Sequence, residues 1–279
     1  MVTLDSIHGA ALPGEMFDHY RQVSEQARLA SGVGELERER TWDILSRHLP
    51  KPPATVLDIG GAAGVHALWL ARGGYEVHLF DPVLHHVEEA LRASAAQAHS
   101  IASCSVGEAR HIDRPDASAD AVVMLGPLYH LTEREERIGA LREAHRVLKP
   151  GGRLFAATIS RFASLLDGLA RDLVSDPRFV EILRADLNDG QHRNPTGNPD
   201  YFTTTFFHHP DELRQEMAAA GFQVERLLGV EGPVWFMSNF ERHWGTPEKR
   251  ALLMELLKVV EEEPHILGTS AHPMGIGRK

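Results

Sequence analysis

From residue 54 onward, short apolar runs alternate with amphipathic stretches: TVLDI, then VHALWLA, YEVHLF and PVLHHVEEALRASAAQA. Apolar runs of about four to eight residues bounded by turn formers read as strands, and apolar positions three and four apart read as helix faces. The alternation continues with strands at IASCSV (101–106) and DAVVML (120–125) and a helix over EREERIGALREAHRVL. Ile138, Leu141, His145 and Leu148 share one face of that helix, which KPGG stops before the strand RLFAATI. Strands alternating with helices specify a mostly parallel sheet covered by helices.

Residues 14–49 read as two helices, one with Tyr20, Val23, Ala27 and Ala30 in phase, the other with Leu36, Trp42, Leu45 and Leu49; PKPPA ends them. Residues 160–210 break the rhythm. FASLLDGLARDLV and PRFVEILRADL are helical patterns that lead into the polar NDGQHRNPTGNPD and then YFTTTFFHHPDEL. The segment carries enough Phe, Leu and Tyr to pack, so it reads as a lid or substrate wall. The sheet then resumes with the helix DELRQEMAAAG, the strand FQVERLLGV, a helix over PEKRALLMELLKVVEEE and a last strand near HILGTSA. The expected α/β organisation is one domain: a helical cover (1–50), a ligand-binding core (51–159), an inserted helical lid (160–210) and a completion of the core (211–279).

Composition narrows the partners. With 39 acids against 29 bases the net charge is −10, which disfavours a phosphate-binding nucleic-acid partner; Arg134, Arg137 and Arg142 leave a local basic patch open. Cys104 is the one cysteine, so no internal disulfide forms and no cysteine zinc cluster exists. There is no leader-like segment and no 18-residue apolar run, so a cytoplasmic protein without a membrane span is expected. The 17 histidines are scattered without HxxxH or HxH spacing, and no metal site is expected.

The decisive stretch is TVLDIGGAAGVHALWLARGGYEVHLFD, residues 55–81. Glycines between a strand and a helix let the backbone approach a ligand, and the helix N-terminus offers unpaired N–H groups. Asp81 closes the next strand 21 residues after Gly60, where an acid accepts from the two hydroxyls of a ribose. The run Asp58-Ile-Gly-Gly-Ala-Ala-Gly64 matches GxGxxG poorly, and an acid two residues before the first glycine repels a pyrophosphate but suits an ammonium. The pattern points to S-adenosylmethionine. A nicotinamide-dependent oxidoreductase and a non-catalytic S-adenosylmethionine-binding protein remain the alternatives.

On these residues the chain resembles the class I S-adenosylmethionine-dependent methyltransferases, whose fold is a Rossmann-like, seven-stranded, mostly parallel sheet with helices on both faces. DIGGAAG resembles their first motif, with Ala62 where glycine is more usual, and FDP (80–82) resembles the ribose acid. VGEARHID (106–113) is similar to the adenine segment, MLGPLYHL (124–131) to the motif after the fourth strand and VLKPGGRL (147–154) to the turn before the fifth. A bacterial small-molecule-type subgroup is similar in HYRQVSEQARL, GPLYHL, YFTTTFFHHPDEL and ILGTSAHPMGIGRK.

The resemblance implies a cofactor turn of Gly60, Gly61, Ala62 and Gly64, with Asp58 near the methionine amino group. It implies adenine contacts from Glu108 and Ala109, Leu125 beneath the donor, and Tyr20 with Arg28 covering the cofactor and holding its carboxylate. The product would be S-adenosylhomocysteine. Tyr129 and His130, just past the fourth strand, are the candidate catalytic residues, although a histidine at that helix entrance can equally serve the backbone. Tyr201, Phe202, Phe206, Phe207, His208, His209 and Trp235 are expected around a small-molecule acceptor, to be methylated on O, N or C. Oligomeric state is left open.

Overall fold

The computed structural model describes Gly14 and residues 25–279. Tyr20 and most of the first expected helix lie outside the described residues. The chain runs through a short helix α1 (Glu25–Arg28) and α2 (Gly32–His48), then β1 (Thr55–Ile59), α3 (Val65–Arg72), β2 (Glu76–Asp81), α4 (Leu84–Ala95) and β3 (Ser103–Val106). β4 (Ala119–Met124), α5 (Pro127–His130), α6 (Arg134–Val147) and β5 (Leu148–Ala157) follow. The last part of the core is α9 (Pro210–Ala219), β9 (Gln223–Gly229), α10 (Phe240–Trp244), α11 (Pro247–Val260) and β10 (Pro273–Arg278).

Seven strands form one sheet in the order β3-β2-β1-β4-β5-β10-β9. β10 alone runs antiparallel, pairing Met274 with Ala157 and with Leu228. Strand alternation divides the core into two. Leu57 and Ile59 face a layer built with Ile138, Leu141 and Met217, while Val56 faces Ile44, Leu70 and Val87. Helices therefore cover both faces, as the pattern of apolar runs implies. Between β1 and β4 the strand order reverses, and the C-terminal ends of those strands are where an open sheet leaves a crevice.

Two expectations about elements are corrected. The last strand is not at HILGTSA, which forms a turn with a single 3-10 segment (Leu267–Thr269), but at Pro273–Arg278. Its apolar signal is broken by Gly275 and Gly277, which are glycine because Met217 of α9 packs directly on the strand: a Cβ at Gly277 would lie 2.7 Å from Met217 Cε. The inserted region is not only helical. It holds α7 (Ala163–Ala170) and α8 (Pro177–Asp189), but β6 (Ile159–Ser160), β7 (Gln191–His192) and β8 (Thr205–His208) form a second, three-stranded sheet in the order β6-β8-β7. Among the described residues, no helix is long and apolar enough to cross a membrane.

Candidate active site

The turn after β1 is built by steric exclusion. Gly60 has φ 73°, and a Cβ there would sit 2.7 Å from Pro127 Cγ; one at Gly61 would meet Asp58 Oδ2 at 2.7 Å and Leu79 Cδ1 at 2.8 Å. Only glycine lets the chain pass so close to its neighbours. Ala62 also adopts a positive φ, 46°, a conformation that costs a non-glycine residue about 1–2 kcal/mol. Asp81 holds it there: Ala62 N–H donates to Asp81 Oδ2 at 2.9 Å. The left-handed backbone at 62 is the physical reason glycine is more usual at that position.

Asp81 sits at the end of β2, buried, its Oδ1 accepting from Val83 N–H (2.9 Å) and bonded to His86 Nδ1 (3.0 Å). These donors fix both oxygens toward the cavity that opens above the turn. Gly60, Gly61, Ala62, Asp81, Glu108, Ala109 and Leu125 all line that cavity, joined from above by Tyr129 and His130. Residues scattered over 70 positions of sequence thus meet at the switch point. Glu108 Oε2 accepts from Arg110 Nε–H in an ion pair (2.7 Å), while its Oε1 is buried with no hydrogen-bond partner. A buried acceptor without a donor marks a place for a ligand N–H.

The donor set fits S-adenosylmethionine: a glycine cradle, a fixed acid able to accept from ribose hydroxyls and an unsatisfied acceptor able to take an adenine N–H. When bound, that cofactor supplies a methyl group on a sulfonium, already activated for displacement. The chain's residues hold and orient it and exclude water.

Other expected residues lie elsewhere. Gly64 begins α3 in left-handed conformation (φ 85°) but packs on Ala90 and does not line the cavity. Asp58 also stays behind the turn, 2% exposed, with Oδ2 unpartnered; burial and then the charge of Asp81 raise its pKa to about 7. Arg28 borders a second cavity rather than the first, its guanidinium held by Glu25 (2.6 Å) and Glu37 (2.6 Å).

That second cavity adjoins the first. Its wall includes Tyr201, Phe202, Phe207 and Trp235, as expected, with Phe179 and Ile159. Phe206, His208 and His209 do not reach it. Side chains alternate along a strand, so Phe207 faces the cavity while Phe206 and His208 face the other way. Phe206 lies under the Arg137 guanidinium at 3.7 Å, and His208 Nε2 is 3.3 Å from Glu216, which also binds Arg137 at 2.7 Å. His209 caps α9: its N–H donates to Glu212 Oε2 at 2.7 Å. The two histidines serve packing and capping.

Sequence reasoning missed four residues. His66 lines the first cavity, accepts from Trp42 Nε1 (3.2 Å) and is held neutral by burial, its pKa lowered to about 4. Glu37, Glu231 and His272 converge, their donor atoms all within 4.8 Å of one another. Arg28 and Ser270 already engage the two carboxylates, so the trio is an ion-pair network. Glu37 lies far from the other two in sequence, and only the ending HPMGIGRK marked the neighbourhood.

The comparisons with known proteins agree with this geometry. Residues 56–152 match the family model of a methyltransferase domain. A ubiquinone/menaquinone biosynthesis C-methyltransferase UbiE of Acidiphilium cryptum is 29% identical, over 79% of this chain and 86% of the relative. One of Caulobacter sp. is 28% identical over 83% and 92%. A solved S-adenosylmethionine-dependent methyltransferase from Methanosarcina mazei superposes with TM-score 0.55 at 19% identity, covering 85% of this chain and 96% of that one. The cyclase SpnF does so with TM-score 0.60 at 18% identity, covering 95% and 94%. Together the methyltransferase domain, the relatives and the site make the chain an S-adenosylmethionine-dependent methyltransferase of Rossmann-like fold. Its cofactor is S-adenosylmethionine, and the nicotinamide alternative falls away.

Proposed function

We propose that the protein transfers a methyl group to a small hydroxylated aromatic molecule seated in the second cavity. The observation that carries this reading is the junction of that aromatic-walled cavity with the cofactor cavity, along a border shared by Tyr129. Phe179, Tyr201, Phe202, Phe207 and Trp235 suit a flat apolar acceptor, and ring stacking orients it. Residues 160–210 act as the acceptor wall and lid, residues 1–50 as the cofactor cover, and the remaining segments, 51–159 and 211–279, as the core. Gly60, Gly61, Ala62 and Asp81 hold the cofactor, Glu108 and Ala109 border its adenine, and Leu125 lies beneath the donor. Tyr129 and His130 flank the transferred methyl. The relatives are named C-methyltransferases of quinone biosynthesis, which favours carbon over O or N and a hydroquinone as the first acceptor to try. The acidic charge favours such a molecule over nucleic acid, and the cytoplasm is the proposed compartment.

The test is incubation of the purified protein with methyl-labelled S-adenosylmethionine and 1,4-naphthohydroquinone under reducing conditions. Mass spectrometry should find the label in the naphthalene ring and S-adenosylhomocysteine in equal amount. Absence of labelled product, with cofactor binding intact by calorimetry, rejects the hydroquinone as acceptor.

A further inference from the structure

Among the described residues, four border both cavities: Glu25, Glu37, Tyr129 and His272. A nucleophile in the second cavity meets the methyl donor between them. Three of these are a phenol and two carboxylates; His272 is the only one that can be a cationic hydrogen-bond donor at neutral pH.

The position of His272 is fixed by the sheet. Glu231 follows β9 and His272 precedes β10, strands whose antiparallel register pairs Gly229 with Pro273. Glu231 Oε1 lies 2.5 Å from His272 Nδ1, and its Oε2 accepts from Ser270 Oγ (2.8 Å) and from the His272 backbone N–H (2.9 Å). The carboxylate is 1% exposed and holds the ring by backbone and side chain together. Glu37 of α2 approaches the same nitrogen at 3.8 Å, with Arg28 and Glu25 of α1 behind it. Burial pushes the His272 pKa down, but Glu37 and Glu231 outweigh it and the opposing Arg28, raising it to about 9. With Nδ1–H spent on Glu231, Nε2–H is the donor left to serve a ligand.

We propose that His272, oriented by Glu231, is a catalytic residue that binds the acceptor's hydroxyl as its anion at the junction of the two cavities. This rests on the second cavity being the acceptor site, and it narrows the acceptor to a molecule with an acidic hydroxyl, a phenol, hydroquinone or enol. The acceptor gives up its hydroxyl proton to solvent on binding. Its oxygen, or the ring carbon beside it, forms a bond to the methyl carbon as the sulfur–methyl bond breaks with its electron pair going to sulfur. In carbon methylation the displaced ring proton then restores the hydroxyl.

The probe is 4-nitrophenol, whose visible band reports the phenolate, added to the S-adenosylhomocysteine complex of the full chain below the free phenol's own pKa. The wild type should develop a saturable phenolate band. In His272→Asn the affinity for the phenolate should fall at least about tenfold, the worth of one charge-assisted hydrogen bond, while S-adenosylhomocysteine affinity stays within about threefold. Glu231→Gln should weaken the band in the same direction, and it carries the test if His272→Asn does not fold. No band in the wild type, or an undiminished band in the folded variants, overturns the proposal. So does stoichiometric zinc binding by the wild type that His272→Asn abolishes, since that would make the trio a metal centre. An intact phenolate signal beside a failed hydroquinone assay would reject that acceptor and leave His272 in its role.

Discussion

Replacing Asp58 with Asn should stabilise the ligand-free protein at alkaline pH. Asp58 is 2% exposed, its Oδ2 has no partner, and it feels the like charge of Asp81. Burial first and Asp81 second raise its pKa from 3.8 to about 7. The folded state therefore keeps a proton that the unfolded chain loses above its own lower pKa, and stability falls as pH rises between those values. Asn cannot ionise and escapes that loss. At 1.36 kcal/mol per unit the rise from about pH 5 to about pH 7 amounts to an upper limit near 3 kcal/mol, and local relaxation lowers it. Relative to wild type, Asp58→Asn should gain about 1–3 kcal/mol between about pH 5 and about pH 8, measured by urea denaturation. Every other titrating group is common to both proteins and cancels. A stability difference that is the same at both pH values would refute the buried, protonated carboxyl.

Asp81→Ala should weaken S-adenosylhomocysteine binding at least about tenfold in calorimetry, through two lost hydroxyl bonds and the released Ala62 turn; unchanged affinity would refute the ribose role. Arg137 is 2% exposed, pairs with Glu216 and donates to the carbonyls of Leu131 and Thr132, so Arg137→Ala should cost about 3–5 kcal/mol in urea denaturation. A loss below about 1 kcal/mol would mean that Glu216 is satisfied without it, since an unpaired buried charge costs more than that.

How much was legible differs between the fold and the site. β1, β2, β4, β5 and their helices followed from apolar runs and helical spacing, because those segments bury whole faces against one another. The ends were harder. PMGIGR did not look like a strand because α9 leaves no room for side chains at Gly275 and Gly277. β8 was hidden in YFTTTFFHH, where both strand faces are buried and no alternation of polar and apolar residues appears. In that segment aromatic content correctly suggested a wall, but the pleat decided that Phe207 faces the cavity while Phe206 is stacked on Arg137.

The sequence by itself determined the parallel sheet, the glycine turn and the acid 21 residues beyond it, because these are local: one strand, one turn, one helix and one strand carry all the geometry. It therefore also pointed to the cofactor, which the comparisons with known proteins then supported. Only the tertiary structure decided that Asp58 lies behind the turn, that His208 and His209 are structural, and that Glu37, Glu231 and His272 meet at the border of two cavities. Those three come from a helix before the sheet and from the ends of its last two strands, and their partnership depends on strand register and helix packing. No spacing along the chain encodes it.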